Sequence, residues 1–283
     1  MSVDHAASLP TIAILGAGSM GKAILSGLLK PGTLVDGGIR VTNRSAAKAA
    51  ELAGLPGVTA YATADDAQAN RRAVQGAGIV LVAVKPAMVP DLLAEIADAI
   101  APGALVISVA AGVTAATFEA ALPTSVVVVR SMPNTPAIVG RAVTGISAGS
   151  RSSEGDLALA RALFETVGEV IEVPENQLDA LSTISGSGPA YVFYLIEQLT
   201  ATAIDKGFSP EQAARLVNGT FLGASELLAH SESTPRELRI QVTSPKGTTE
   251  RAVAVLESAD LKGLFDRATD AALVRARELA AGS

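Results

Sequence analysis

The chain has 283 residues, 49% of them hydrophobic and 18% charged, and a formal net charge of −6. It contains no cysteine and no tryptophan, which excludes disulfides and thiolate metal sites and leaves a largely aliphatic core. The acidic balance without a basic run argues against nucleic acid or an anionic membrane as partner. The length suits two domains of ordinary size.

The two histidines, His5 and His230, stand far apart in the sequence. A metal site would need clustered carboxylates, and no such spacing occurs. The start MSVDHAASLP lacks the basic end and apolar centre of a secretory signal. The most membrane-like stretch, residues 180–196, carries Gly-Ser-Gly-Pro at its centre and is barely long enough to span. It is expected to be a buried helix of a cytoplasmic protein.

In chain order, TIAILGAGS, GIRVTNRS, GIVLVAVKP, ALVISVAAG and SVVVVRSMP each read as a strand running into a loop. The run VVVVR shows no polar alternation, which fits a strand buried on both faces of a parallel sheet. Helical stretches lie between, at residues 22–30 and 87–100. A helix over 155–166 and a strand over 169–173 complete the pattern. Alternation of this kind predicts an α/β fold: a Rossmann-like, doubly wound nucleotide-binding domain over residues 1–174. Past Pro174 the strand signals stop. Residues 177–206 read as helix, interrupted at 186–189. Ser209-Pro210-Glu211 gives an N-cap followed by proline at the first helical position. Ser233 or Thr234 starts a short helix, and residues 249–257 and 264–280 follow. The segment 175–283 is therefore expected to be an all-helical second domain.

GAGSMG, residues 16–21, is a complete G-x-G-x-x-G between an apolar strand and the helix KAILSGLL. Gly16 permits the tight turn, Gly18 lets a pyrophosphate approach the backbone, and Gly21 allows close helix–strand packing. The helix start favours phosphate charge. The second strand ends in Asn43-Arg44-Ser45, with no acidic residue to hold a ribose 2′-hydroxyl and repel a 2′-phosphate. That favours NADPH over NADH; the alternative is that Arg44 is a solvated charge.

Three later strands end in AVKP, AAGVT and MPNTP, at the edge where α/β sheets bind ligands. Ala83 and Lys85 lie in the first of these loops. Lys85 either contacts ligand or snorkels from a strand end. Asn134 either bonds backbone or ligand. No Ser–His–Asp set is present, and a reductase needs none, because its cofactor supplies the hydride.

The ordered set GAGSMG, NRS, AVKP, AAGVT, MPNTP, SGSGPAYVF and VTSPKGTT resembles the pyrroline-5-carboxylate reductase family along essentially the whole chain. SGSGPAY together with VTSPxGTT is the specific part. The resemblance implies reduction of L-1-pyrroline-5-carboxylate to L-proline by NADPH, with NADH a weaker donor. It implies a helical domain that forms a homodimer, with five dimers in a possible decamer, and an active site between the nucleotide domain and a partner's helical domain. Carried onto this sequence, the family's cofactor contacts match Ser19, Met20, Asn43, Arg44, Ser45, Asn70, Lys85, Ala110 and Gly112. Its carboxylate-binding loop matches Ser244, Gly247, Thr248 and Thr249, and Glu232 matches a glutamate lining the same site.

The carboxylate is expected at a helix start, held by free N–H groups of Gly247, Thr248 and Thr249 and by the Ser244 hydroxyl. Thr249 is the candidate partner of the imine nitrogen. The family usually has Gly where Lys246 stands, so this loop either suits an ordinary residue there or absorbs strain. SGSGPAYVF also has a plain reading, as close helix packing or a kink. Two alternatives remain: a related two-domain reductase of another imine or of a β-hydroxyacid, and a non-catalytic NADPH sensor. A β-hydroxyacid enzyme would need a lysine on the early helix after the boundary, where SGSGPAYVFYLIEQ has none.

Overall fold

The computed structural model describes residues 8–280; His5 lies outside them. In the first half, strands and helices alternate as β1 (Ile12–Leu15), α1 (Ser19–Leu28), β2 (Ile39–Asn43), α2 (Ala46–Ala53), β3 (Val58–Ala62), α3 (Ala69–Val74), β4 (Ile79–Val82) and α4 (Val89–Ile96). They continue as β5 (Leu105–Ser108), α5 (Ala115–Ala121), β6 (Val127–Met132), β7 (Ala142–Ala148), α6 (Glu154–Glu165), β8 (Gly168–Glu172) and α7 (Glu175–Leu181). The sheet order is β3-β2-β1-β4-β5-β6-β7-β8.

β1 pairs in parallel with both β2 and β4, placing Ile12 opposite Ile39 and Ile79. The chain direction of the crossovers reverses here, so the crevice past the end of β1 is the expected ligand position. β1, β4 and β5 are buried at every residue. Alternate side chains feed two cores. Ile12 and Ile14 join Ile24, Leu28, Leu163 and Phe164 from α1 and α6. Ala13 and Leu15 join Val74, Leu93 and Phe118 from α3, α4 and α5. Continuous apolar runs are what a sheet covered on both faces requires.

β3 and β7 are absent from the sequence reading. VTAYA is alanine-rich and only half-buried, so it lacks an apolar signature. AVTGISA runs antiparallel to β6 and parallel to β8, and its Thr144 and Gly145 mask the pattern. Gly145 leaves room for α7: a Cβ there would lie 2.6 Å from Leu181 Cδ1. The nearly buried Arg130 of β6 reinforces this seat, with Nη2 2.6 Å from Asp179 Oδ1 and Nη1 3.4 Å from Glu175 Oε1. Glu175 Oε1 also accepts the Ala115 N–H at 2.7 Å.

These contacts attach the segment after Pro174 to the sheet. The chain accordingly divides into one unit of residues 1–187 with 272–283, and a second of 188–271. A short π-helical turn (Ser182–Gly186) interrupts the helix between α7 and the next one. The remaining helices are α8 (Gly188–Asp205), α9 (Pro210–Ala229), α10 (Pro235–Gln241), α11 (Thr248–Ser258) and α12 (Leu261–Ala280). Ser209 with Gln212, and Thr234 with Glu237, form reciprocal capping boxes. Within the helical unit, the rings of Tyr191 and Phe265 lie 6.3 Å apart.

One expectation fails. Residues 180–196 are not a buried helix: no residue of α8 is buried, and Phe193 and Tyr194 are 67% and 61% exposed. A unit this small does not enclose a helix on all sides, so an apolar sequence alone does not report burial within one chain.

Candidate functional site

A cleft of about 650 Å³ opens at the carboxyl ends of β1, β2 and β4. Its floor is the glycine turn. Gly16 has φ +90°, and a Cβ there would stand 2.8 Å from Val84 Cγ1. At Gly21 a Cβ would stand 2.8 Å from the Gly16 carbonyl oxygen, so α1 sits directly against the turn. At Gly18 a Cβ would meet no atom within 4 Å: this backbone faces the open cleft, the cradle a pyrophosphate needs. Gly18 is also the N-cap of α1, without a side-chain cap and with no acidic residue in the first turn. The N–H groups of the first turn, beginning at exposed Ser19, are thus open to an anion. Met20 is half-buried against the core.

Of the sequence-predicted cofactor residues, Gly16, Gly18, Asn43, Arg44, Ser45, Asn70, Ala83 and Lys85 line this cleft. Ser19, Met20, Gly21, Ala110 and Gly112 do not line it. Gly21 acts from beneath. Ala110 is buried with its N–H donating to Ser108 Oγ at 3.2 Å, and Gly112 turns the chain after β5 with φ +76°.

Asn43 is a brace. Its Nδ2 donates to the Ala17 carbonyl at 2.9 Å, and its Oδ1 accepts the Ser45 N–H at 3.0 Å. Arg44, just before α2, and Lys48, in its first turn, are both exposed and line the cleft, so two positive charges stand beside the end of β2. Ser45 caps α2. Lys85 is exposed, precedes the 3-10 turn Pro86–Met88, and lines the cleft, which favours the ligand-contact alternative. Asn134 belongs to the framework: Nδ2 donates to the Ser185 carbonyl, and Oδ1 accepts the Val143 N–H, each at 2.9 Å.

Sequence reasoning missed Thr42, Lys48, Asp91 and Glu95 in this cleft. Thr42 Oγ1 accepts the Gly16 N–H at 3.2 Å. Lys48 had a signal, since it follows Ser45 at helical spacing. Asp91 and Glu95 carry none, because their position depends on how α3 and α4 pack; Thr42 depends on the register of β2 beside β1.

In the helical unit, the loop VTSPKGTTE runs from α10 into α11. Lys246 has φ +60°, a left-handed conformation, so the loop absorbs strain at this position instead of avoiding it. Its N–H donates to Glu250 Oε2 at 2.9 Å. The Gly247 N–H, expected to be free, is engaged by the Ser244 carbonyl at 3.0 Å. The expectation is corrected there: a tight turn places Gly247 as N-cap of α11 and consumes its donor. Thr248 and Thr249 occupy the first two helical positions, where N–H groups have no intrahelical acceptor. A Cβ on Gly247 would lie 2.9 Å from the Ser244 carbonyl oxygen, which this turn cannot accept. Glu232 is exposed in the turn between α9 and α10.

A mostly parallel sheet with a glycine-lined cleft at its switch point, followed by a run of helices, defines the class of dinucleotide-dependent oxidoreductases. Residues 11–112 match the family model described as NADP oxidoreductase, coenzyme F420-dependent. Residues 175–279 match the model for pyrroline-5-carboxylate reductase dimerisation. The chain is 35% identical to pyrroline-5-carboxylate reductase of Corynebacterium melassecola, over 96% of this chain and 99% of that protein. It is 37% identical to that of Pseudomonas aeruginosa, over 96% and 98%. The solved structure of a pyrroline-5-carboxylate reductase from Coxiella burnetii superimposes with a TM-score of 0.87 at 38% identity, over 95% of this chain and 97% of that one. The chain belongs to the pyrroline-5-carboxylate reductase family. The dimerisation match gives the exposed apolar side chains of α8 their explanation: the helical unit self-associates. Among the described residues no helix is long and apolar enough to cross a membrane.

Proposed function

We propose that the chain reduces L-1-pyrroline-5-carboxylate to L-proline with NADPH. Family membership over nearly the whole length carries this reading; the fit of the cleft to a dinucleotide supports it. NADPH, bound in the cleft, supplies the hydride that reduces the imine carbon.

The residues divide the remaining work. Gly16, Gly18 and Gly21, with the N–H groups from Ser19 and Met20 onward, receive the pyrophosphate. Arg44, Ser45 and Lys48 hold the 2′-phosphate, and Asn43 fixes the turn that presents them. Lys85, Ala83, Ala110 and Gly112 shape the nicotinamide end, and Asn70 serves the adenine end. On the helical unit, the Thr248 and Thr249 N–H groups and the Ser244 hydroxyl anchor the substrate carboxylate at the start of α11, where the helix dipole adds to them. Gly247 contributes by permitting the turn. The imine nitrogen is best reduced protonated; the Thr249 hydroxyl orients it, with water as the proton source, because a threonine hydroxyl is itself a poor acid. Glu232 lines the same pocket.

We place the domain boundary relevant to function near residue 174; the start of the dimerisation match at residue 175 supports it, although α7 is packed on the sheet. The homodimer forms through the helical domain, and five dimers complete a decamer. A cytoplasmic location belongs to this reading, since NADPH is drawn from the cell's own pool. Steady-state kinetics of Thr249→Ala test the residue assignment: kcat/KM is expected to fall at least tenfold, and unchanged kcat and KM would remove Thr249 from the mechanism.

A further inference from the structure

Glu95 lies in the nucleotide cleft but carries no role in the reaction as proposed. Its Oε2 accepts a hydrogen bond from Asn70 Nδ2 at 3.0 Å, joining α4 to α3. The same two helices are clamped by Arg71, whose Nη1 donates to the Glu95 carbonyl at 2.7 Å and whose guanidinium pairs with Asp98. Glu95 is therefore held in place by its own backbone.

The consequence is chemical. An ionised carboxylate only accepts hydrogen bonds, whereas an asparagine amide has one accepting end and one donating end. Glu95 claims the donating end of Asn70. The accepting end, Oδ1, has no partner among the described residues, and Asn70 lines the cleft. With Asp91 and Glu95 also lining it, this stretch of wall is rich in acceptors and poor in donors. It suits a neutral N–H donor and disfavours phosphate, which has the glycine turn, Arg44 and Lys48 elsewhere in the cleft.

We infer that Glu95 is a positioning residue that locks the Asn70 amide so that its oxygen reads the 6-amino group of adenine. The inference rests on the NADPH reading above. It makes the cleft selective among nucleobases, since adenine presents a donor where hypoxanthine presents a carbonyl. Glu95→Gln removes the lock: glutamine donates as well as accepts, so the Asn70 amide is free to turn its NH₂ toward the cleft.

The test is isothermal titration of the full-length protein with NADPH and with its hypoxanthine analogue. Wild type is expected to prefer NADPH at least tenfold. Glu95→Gln is expected to reduce that preference at least fivefold, with the melting temperature near wild type. Asn70→Ala, which keeps the Glu95 carboxylate and the Arg71 clamp, is expected to lose the preference as well, and it serves if the Glu95 variant does not fold. Wild type that binds both nucleotides equally overturns the inference alone, as does full preference retained in either variant. Wild type that binds neither overturns the cofactor reading with it.

Discussion

Replacing Lys246 with glycine separates two contributions of this side chain, its backbone strain and its charge. At φ +60° an L-residue carries a penalty of about 1–2 kcal/mol. Glycine removes it but loses about 0.5–1 kcal/mol more conformational entropy on folding. The net expectation for Lys246→Gly is a gain of about 0.5–1 kcal/mol, or about 1–3 °C in Tm for a chain of this size. The hydrogen bond from residue 246 N–H to Glu250 survives, because glycine keeps the donor. Lys246→Ala is the control, since it removes the charge and keeps the strain; its stability should stay near wild type. Thermal unfolding at fixed protein concentration reads the first effect. The KM for pyrroline-5-carboxylate reads the second, and it should remain within a few-fold in both variants. Lower stability in Lys246→Gly would refute the strain argument. A tenfold rise in KM in both variants, about 1.4 kcal/mol, would show that the lysine charge holds the substrate carboxylate.

Gly18→Ala should fold with unchanged Tm, because its Cβ meets no protein atom, yet weaken NADPH at least tenfold by calorimetry, since the Cβ enters the pyrophosphate's space. Arg130→Ala strands Glu175 and Asp179 beside the sheet. Breaking a buried pair costs about 3–5 kcal/mol, discounted here to about 2–3 because both carboxylates are partly solvated; urea unfolding measures it. The Glu237 carboxyl is held below the usual glutamate range by the Thr234 backbone N–H and hydroxyl. Its contribution is therefore complete above the unfolded glutamate pKa and is lost as pH falls through the lowered folded value. The Tm gap between wild type and Glu237→Ala should narrow below about pH 4.

The nucleotide domain was legible because its signals are local. Apolar runs such as IVLV and LVIS identify doubly covered strands, and GAGSMG announces its turn by its spacing between an apolar strand and a helix. β7 was not legible, since its fit depends on Gly145 receiving Leu178 and Leu181 from a distant helix. The same limit explains Asn43. The sequence offered a donor for phosphate, but the fold engages both ends of its amide in bracing the glycine turn. Gly247 repeats the lesson: its place at a helix start was readable, whereas the turn that occupies its N–H was not. α8 shows that hydrophobicity reports a need for cover without saying which chain supplies it.

The most direct test of the central claim is NADPH oxidation by the purified protein with L-1-pyrroline-5-carboxylate, with the product analysed. The account predicts turnover dependent on both substrates, one NADPH consumed for each L-proline formed, and no turnover with the oxo acids or semialdehyde acids that a β-hydroxyacid enzyme would reduce. Tight NADPH binding with no proline formed would contradict it and leave a nucleotide-binding protein without this activity.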